Sequence, residues 1–327
     1  MTNDTALRQE LAALRDGAAV AAPELRSLLS VSGEDHRAWL DRISSMPILP
    51  LEAGRSVWAT LMDGKGKLRC DMRVTDLGDA GDPGSLLIEL PASHHATLLR
   101  VLDMYILRDK VALTDLSASH SIVSVLGPGA GAVLGAAGLP TPTGDGVVSQ
   151  DGVHGLAARL YGVPGTDLLV AADEADALLT RLEAGGAVRV GRTALDVVRI
   201  DAGVPWFAED MSDAVIPLEA GLDQDVSITK GCYPGQEVIA RIANLGQVAR
   251  KLMRLSAPGR VAVGQGTELI GTGERNGKPA GHLTSIAHDP ITDRTLGLGY
   301  TRRAFWKEGT ELSADGATFT VAGPAQP

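Results

Sequence analysis

Two cysteines, Cys70 and Cys232, are all that this 327-residue chain contains, and no Cys-x-x-Cys pair occurs. That excludes a disulfide framework and suits a reducing compartment, so a cytoplasmic location is expected. Positive charge is also scarce. The 30 Lys and Arg stand against 40 Asp and Glu, for a formal net charge of −10 and a pI ≈ 5.2. Such a balance disfavours tight polyanion binding, so no direct nucleic-acid partner is expected, although a local basic site for a small anion is compatible with it. Aromatic residues make up 3%, so the cores are expected to rest on Val, Leu, Ile and Ala within a hydrophobic content of 44%. The least polar stretch, Ile122 to Leu139, is interrupted by Gly127-Pro128-Gly129, Gly131, Gly135 and Gly138 and reads as a turn plus a small-residue helix rather than a membrane span. The start, Met1-Thr2-Asn3-Asp4-Thr5, lacks the basic-then-apolar order of a signal peptide, and no membrane partner is expected. Adjacent His94-His95 point to different faces and have no third ligand nearby in sequence, so no metal site is expected.

What is present is one dense motif, Lys230-Gly231-Cys232-Tyr233-Pro234-Gly235-Gln236-Glu237. Pro234 followed by Gln236 to Ile242 reads as a helix start with Pro near its first position. The positive end of a helix and the Lys230 ammonium both favour thiolate over thiol, so Cys232 is expected to be reactive and its pKa to fall below about 8.5. The other reading is a small buried apolar cysteine beside glycines that serve a turn. A Cys-His hydrolase would need a partner histidine, and nothing marks one among the seven.

The length suggests two or three domains. Helical spacing appears at residues 6–16 (Leu7, Leu11, Leu14), around Trp39, Leu40 and Ile43 with Ser32 as a possible cap, and at 96–106, 130–137, 174–184 and 193–200. Strands are expected at 29–33, 86–90, 111–116, 121–126 and Val188, with a pair at 156–161 and 167–171. A hairpin is expected at 57–61 and 68–74 around Asp63-Gly64-Lys65-Gly66-Lys67. Gly64 and Gly66 have no Gly-Lys-Ser/Thr and no helix behind them, so a hairpin turn is preferred to a phosphate loop. From about Leu252, short strands alternate with glycine turns, which predicts a small β-barrel or sandwich. Without regular βαβ alternation, the class is α+β.

The order Lys-Gly-Cys-Tyr-x-Gly-Gln-Glu resembles the signature of the YgfZ family, folate-binding relatives of the glycine-cleavage T-protein (aminomethyltransferase). Arg199-Ile200-Asp201-Ala202-Gly203-Val204-Pro205, Pro217-Leu218-Glu219-Ala220-Gly221-Leu222, Gly281-His282-Leu283-Thr284-Ser285 and Leu296-Gly297-Leu298-Gly299-Tyr300 are similar to further family segments and follow in the family's order, over about residues 25 to 315. The resemblance implies a three-domain cloverleaf around a central folate channel: residues 1–48 with 108–200, residues 49–107 with 201–248 carrying the cysteine motif, and a C-terminal β-barrel over 249–327. Tetrahydrofolate is the implied cofactor, and iron–sulfur client or assembly proteins are the implied partners. The implied role is assembly or repair of iron–sulfur clusters, supporting cluster-dependent tRNA modification. A folate-dependent aminomethyl transferase or demethylase is the alternative, and a binding module with a structural cysteine is a third possibility.

The implied reactive pair is Cys232 with Lys230. Folate wants an acidic anchor for the pterin, an apolar slot and a basic group for its tail. Asp167, in Gly165-Thr166-Asp167, aligns with the acidic pterin anchor of T-proteins, with a turn aspartate as the other reading. Tyr161 or Trp206 could stack on the ring. Arg199, Asp201, Gly203, Gly231, Tyr233, Gly235, Gln236 and Glu237 complete the implied folate contacts. One departure stands out. The aspartate that T-proteins need for transfer falls at Thr97 or Leu98 here, so glycine-cleavage activity is not expected.

Overall fold

The computed structural model describes residues 2–22, 26–78, 84–246 and 248–326. Helix α1 (Thr2–Asp16) leads to β1 (Ala19–Ala21), β2 (Arg26–Ser32), α2 (His36–Ile43) and the hairpin of β3 (Arg55–Met62) and β4 (Leu68–Asp76). Next come β5 (Leu86–Pro91), α3 (His95–Met104), β6 (Ala112–Asp115), β7 (His120–Leu126), α4 (Ala130–Ala136), β8 (Val148–Gln150), β9 (Val153–Ala157) and β10 (Gly165–Ala171). Then follow α5 (Ala175–Ala184), β11 (Val188–Arg189), α6 (Arg192–Ala202), α7 (Pro217–Ala220) and α8 (Gln236–Leu245). The chain closes with β12 (Arg250–Pro258), β13 (Glu268–Gly271), β14 (Pro279–Asp289), β15 (Arg294–Arg302), β16 (Glu311–Ala314) and β17 (Ala317–Pro324).

These form a five-stranded sheet ordered β3-β4-β5-β2-β6, a six-stranded sheet ordered β11-β1-β7-β10-β9-β8, and a closed six-stranded barrel, β12-β15-β14-β13-β16-β17. The expected α+β class and C-terminal barrel are both observed. Among the described residues no helix is long and apolar enough to cross a membrane.

Side chains alternate between the two faces of a strand, so cross-strand partners share a face. One face of the five-stranded sheet meets one face of the six-stranded sheet through Leu28, Leu87, Leu156 and Leu169. Along the same faces that apolar contact gives way to charge. Arg73 pairs with Trp58 on one side and Glu89 on the other, Asp71 lies two residues before Arg73, and in the facing six-stranded sheet Asp167 pairs with Ser124.

Three local expectations differ from the structure. Ser32 does not cap α2: it ends β2 opposite Ala112, and Asp35 takes the N-cap position. Gly33, at φ +107, turns the chain against the Lys110 carbonyl, where a Cβ would clash, so the helix starts only after that turn. The expected strand 156–161 stops at Ala157, because Arg159 turns to Asp225 and the Leu160 carbonyl accepts the Trp206 indole N–H. Pro234 lies outside α8, which starts at Gln236 behind a left-handed Gly235.

Candidate functional site

A cavity of about 440 Å³ opens between the five-stranded sheet and the segment after α6. Trp206 and Phe207 wall it with Leu160, the edge of β5 contributes Pro91 to Ser93, and Arg26 and Asp71 form its inner end. The aromatic wall is braced by two arginines, of which Arg192 also lines the cavity. Arg192 and Arg199 each stack 4.3 Å from the Trp206 ring, and the indole N–H donates to the Leu160 carbonyl at 2.8 Å. Arg192 and Glu209 stand at the same cavity as an ion pair.

Behind this inner end lies a buried ionic network. Arg26 donates to Asp71 Oδ2 at 3.1 Å and to Glu89 Oε1 at 3.2 Å. Arg73 pairs with Glu89, with Asp167 Oδ2 at 3.0 Å and with the Ala157 carbonyl at 2.9 Å. Ser124 donates to Asp167 Oδ1 at 2.6 Å. The guanidiniums of Arg26, Arg73 and Arg159 lie 5.2–5.5 Å from the Trp58 ring. Burial opposes the Arg73 charge, but Glu89 and Asp167 outweigh it and hold the group protonated. Burial also drives the Asp167 pKa up, reinforced by Glu89 and opposed by Arg73 and Ser124. Asp71 differs from its neighbours: it is 5% exposed, and its Oδ1 has no hydrogen-bond partner among the described residues.

The residues singled out from sequence fall into three places. Asp167 is buried with both oxygens occupied, behind the cavity rather than on its wall. It is therefore a strut between the two sheets, not a turn residue or a free anchor. Tyr161 is also buried, edge-on to Trp206 at 6.1 Å, and burial followed by the charge of Asp167 pushes its phenol well up. Trp206, by contrast, does face the cavity.

Arg199 is 1% exposed and clamps the chain after α6. It binds Asp196, Glu209, Asp210 and the Ser285 hydroxyl of the barrel. Asp201 is exposed, 3.9 Å from Arg15. Gly203 ends α6 at φ +86, where a Cβ would sit 2.8 Å from Arg254 and 3.1 Å from Ala325. This segment fastens α6 to the barrel and positions Trp206; it does not itself touch the cavity.

The Lys230–Glu237 motif forms a separate surface feature. Lys230 reaches across to the end of α2, where Nζ donates to the carbonyls of Asp41, Ser44 (3.0 Å) and Met46 (3.1 Å) and lies 3.6 Å from the Asp41 carboxylate. Burial lowers its pKa, and Asp41 opposes that shift. Its charge thus serves a helix C-terminus, a setting that favours cations. Tyr233 donates to the Ser227 carbonyl at 2.6 Å, and burial pushes its phenol up to about 12. Gln236 donates to the Lys230 carbonyl at 2.9 Å. Gly235 lies against the β3–β4 turn, where a Cβ would come within 2.6 Å of Gly66, whereas Gly231 is open. Glu237 is exposed and pairs with Arg241 at 2.8 Å. The loop held this way leaves Cys232 exposed, which removes the buried reading of this thiol, while Cys70 is the buried one. Burial, then the neighbouring Asp71, push the Cys70 thiol far up.

Sequence reasoning missed Asp71, Arg26 and Trp58. The signal was alternation within one strand, where Arg69, Asp71 and Arg73 interleave with Leu68, Cys70, Met72 and Val74. Thr97 is exposed on α3 and Leu98 is in the core, so neither supplies a carboxylate to the cavity.

Comparison with known proteins fits this architecture. Residues 2–142 match the GCVT N-terminal domain. The chain is 25% identical to an aminomethyltransferase of Synechococcus sp. (strain WH7803) over 88% of its own length and 80% of that protein. It is 28% identical to the "Putative transferase At1g60990, chloroplastic" of Arabidopsis thaliana over 67% of its length and 51% of that protein. Its fold superposes on the glycine cleavage system aminomethyltransferase T of Bartonella henselae with a TM-score of 0.85 at 21% identity, covering 96% of this chain and 88% of that one. The chain is thus similar in sequence and in fold to aminomethyltransferases, a family that uses tetrahydrofolate.

Proposed function

We propose that this T-protein-like chain binds tetrahydrofolate in the Trp206–Asp71 cavity and acts as a YgfZ-type accessory in iron–sulfur cluster assembly or repair. Through its clients it supports cluster-dependent tRNA modification. The observation that carries the folate reading is the cavity itself. It is a slot of about 440 Å³ with an aromatic wall and, at Asp71, a buried carboxylate with one oxygen unpartnered among the described residues. A flat, donor-bearing ring with a polar tail suits such a slot. Cys232, on a loop tied down by Lys230 and Tyr233, is the exposed thiol available to clients or to iron. The domain division expected from the family, with the cysteine motif in a segment shared by residues 49–107 and 201–248, belongs to the same reading.

The alternative, a folate-dependent one-carbon transferase, draws support from the names of the relatives. Thr97 weighs against it, because a general acid or base contributes roughly 10²–10⁴-fold to such chemistry and this position has none.

Tetrahydrofolate at about a hundred times its Kd is expected to stabilise the protein by roughly 2.7 kcal/mol, read as a thermal shift. No shift at saturation removes folate from the account. A strain lacking the protein is expected to lose [4Fe–4S] enzyme activity under oxidative stress. Cys232→Ser should fail to restore it, since serine lacks the soft thiolate that iron prefers. Methylenetetrahydrofolate formation from the aminomethyl-lipoyl carrier would shift the reading to the transferase, and full rescue by Cys232→Ser would make the cysteine dispensable.

A further inference from the structure

The inner end of the cavity carries an imbalance. Arg26 and Arg73 face Asp71, Glu89 and Asp167, so three buried carboxylates share two guanidiniums. Asp167 has both oxygens bound, and Glu89 has both oxygens bound. Of the three, Asp71 differs: Oδ2 is held by Arg26, while Oδ1 is buried and has no partner among the described residues, and the residue lines the cavity. A buried carboxylate oxygen left unpaired costs free energy that a ligand N–H could recover. Excess acceptor charge at the closed end also repels an anionic group.

On the basis of the tetrahydrofolate reading, we propose that Asp71 is the specificity-determining residue of the cavity. Its Oδ1 accepts a hydrogen bond from the 2-amino group of the pterin, which places the ring inward and the anionic tail towards the mouth. The role expected for Asp167 from alignment thus passes to a carboxylate on the other sheet. Because Arg26 occupies Oδ2, Asp71 accepts a single bond from the ligand rather than a bidentate pair.

The arrangement makes Asp71→Asn an informative change. Arg26 requires an acceptor, so the amide must turn its oxygen to Arg26 and its NH2 to the cavity. The cavity then presents a donor where it had an acceptor. Tetrahydrofolate affinity, measured by titration calorimetry, is expected to fall about ten- to a hundredfold. The 2-oxo analogue, with a carbonyl in place of the amine, is expected to show the reverse preference, binding Asp71→Asn more tightly than wild type. Equal tetrahydrofolate affinity in the two proteins, or the same ligand order in both, overturns the assignment while leaving folate binding intact. Should Asp71→Asn fail to fold, the wild-type protein decides alone. At least a tenfold preference for tetrahydrofolate over the 2-oxo analogue is expected, and equal affinities overturn the proposal. If wild type binds no tetrahydrofolate, the folate reading falls and this inference with it.

Discussion

Asp167→Ala is expected to destabilise the protein by about 3–5 kcal/mol, because it strands Arg73 in a buried network that loses one of its two carboxylate partners. Asp167→Asn should cost far less, since the amide oxygen can still accept from Arg73 and its NH2 can meet the Ser124 hydroxyl. Urea unfolding of the three proteins measures both differences. The Asn variant also tests the charge. Burial raises the Asp167 pKa above its unfolded value of 3.8, so between those two values the native state holds more protons than the unfolded one. Stability from this group therefore falls as pH rises through that window and grows on acidification. The gap between wild type and Asp167→Asn should move in favour of wild type as pH is lowered into it. An Asp167→Ala protein as stable as wild type would remove the strut role. A stable Asp167→Asn protein that had lost tetrahydrofolate affinity would return Asp167 to the ligand.

Lys230→Met should cost about 2–3 kcal/mol, the scale of hydrogen bonds to a charged group. Methionine keeps much of the stem but leaves the carbonyls of Asp41, Ser44 and Met46 without their shared donor. The same variant separates a tether from an activator. If the ammonium holds the loop, iodoacetamide labels Cys232 at the wild-type rate or faster in Lys230→Met, because the loop around an already exposed thiol loosens. If the ammonium lowers the thiol pKa, labelling at neutral pH slows instead. Unchanged stability together with slower labelling would restore the thiolate role.

Much of this molecule follows from local patterns. The β3–β4 hairpin is legible because Asp63-Gly64-Lys65-Gly66-Lys67 separates two runs with strand character, and Asp63 accepts from the amides of Lys65 and Lys67 within its own turn. Helices α4, α5 and α6 and the barrel strands are legible for the same reason: periodicity and glycine punctuation are properties of neighbouring residues. The cysteine motif could likewise be found as a string.

Its chemistry could not be read that way. Lys230 stands two residues from Cys232 in sequence, yet its ammonium is spent 189 residues away at the end of α2. Asp71 and Asp167 look alike in sequence, each an aspartate inside a strand. Strand pairing decides between them. The β7–β10 register puts Ser124 beside Asp167, and sheet packing brings Arg73 to its other oxygen. Asp71 meets Arg26 on one side and the cavity on the other. Which carboxylate is satisfied by the fold, and which is left for a ligand, depends on contacts between residues 43 to 94 positions apart. Local propensity carries no information about such contacts, because they exist only once the two sheets have closed on each other.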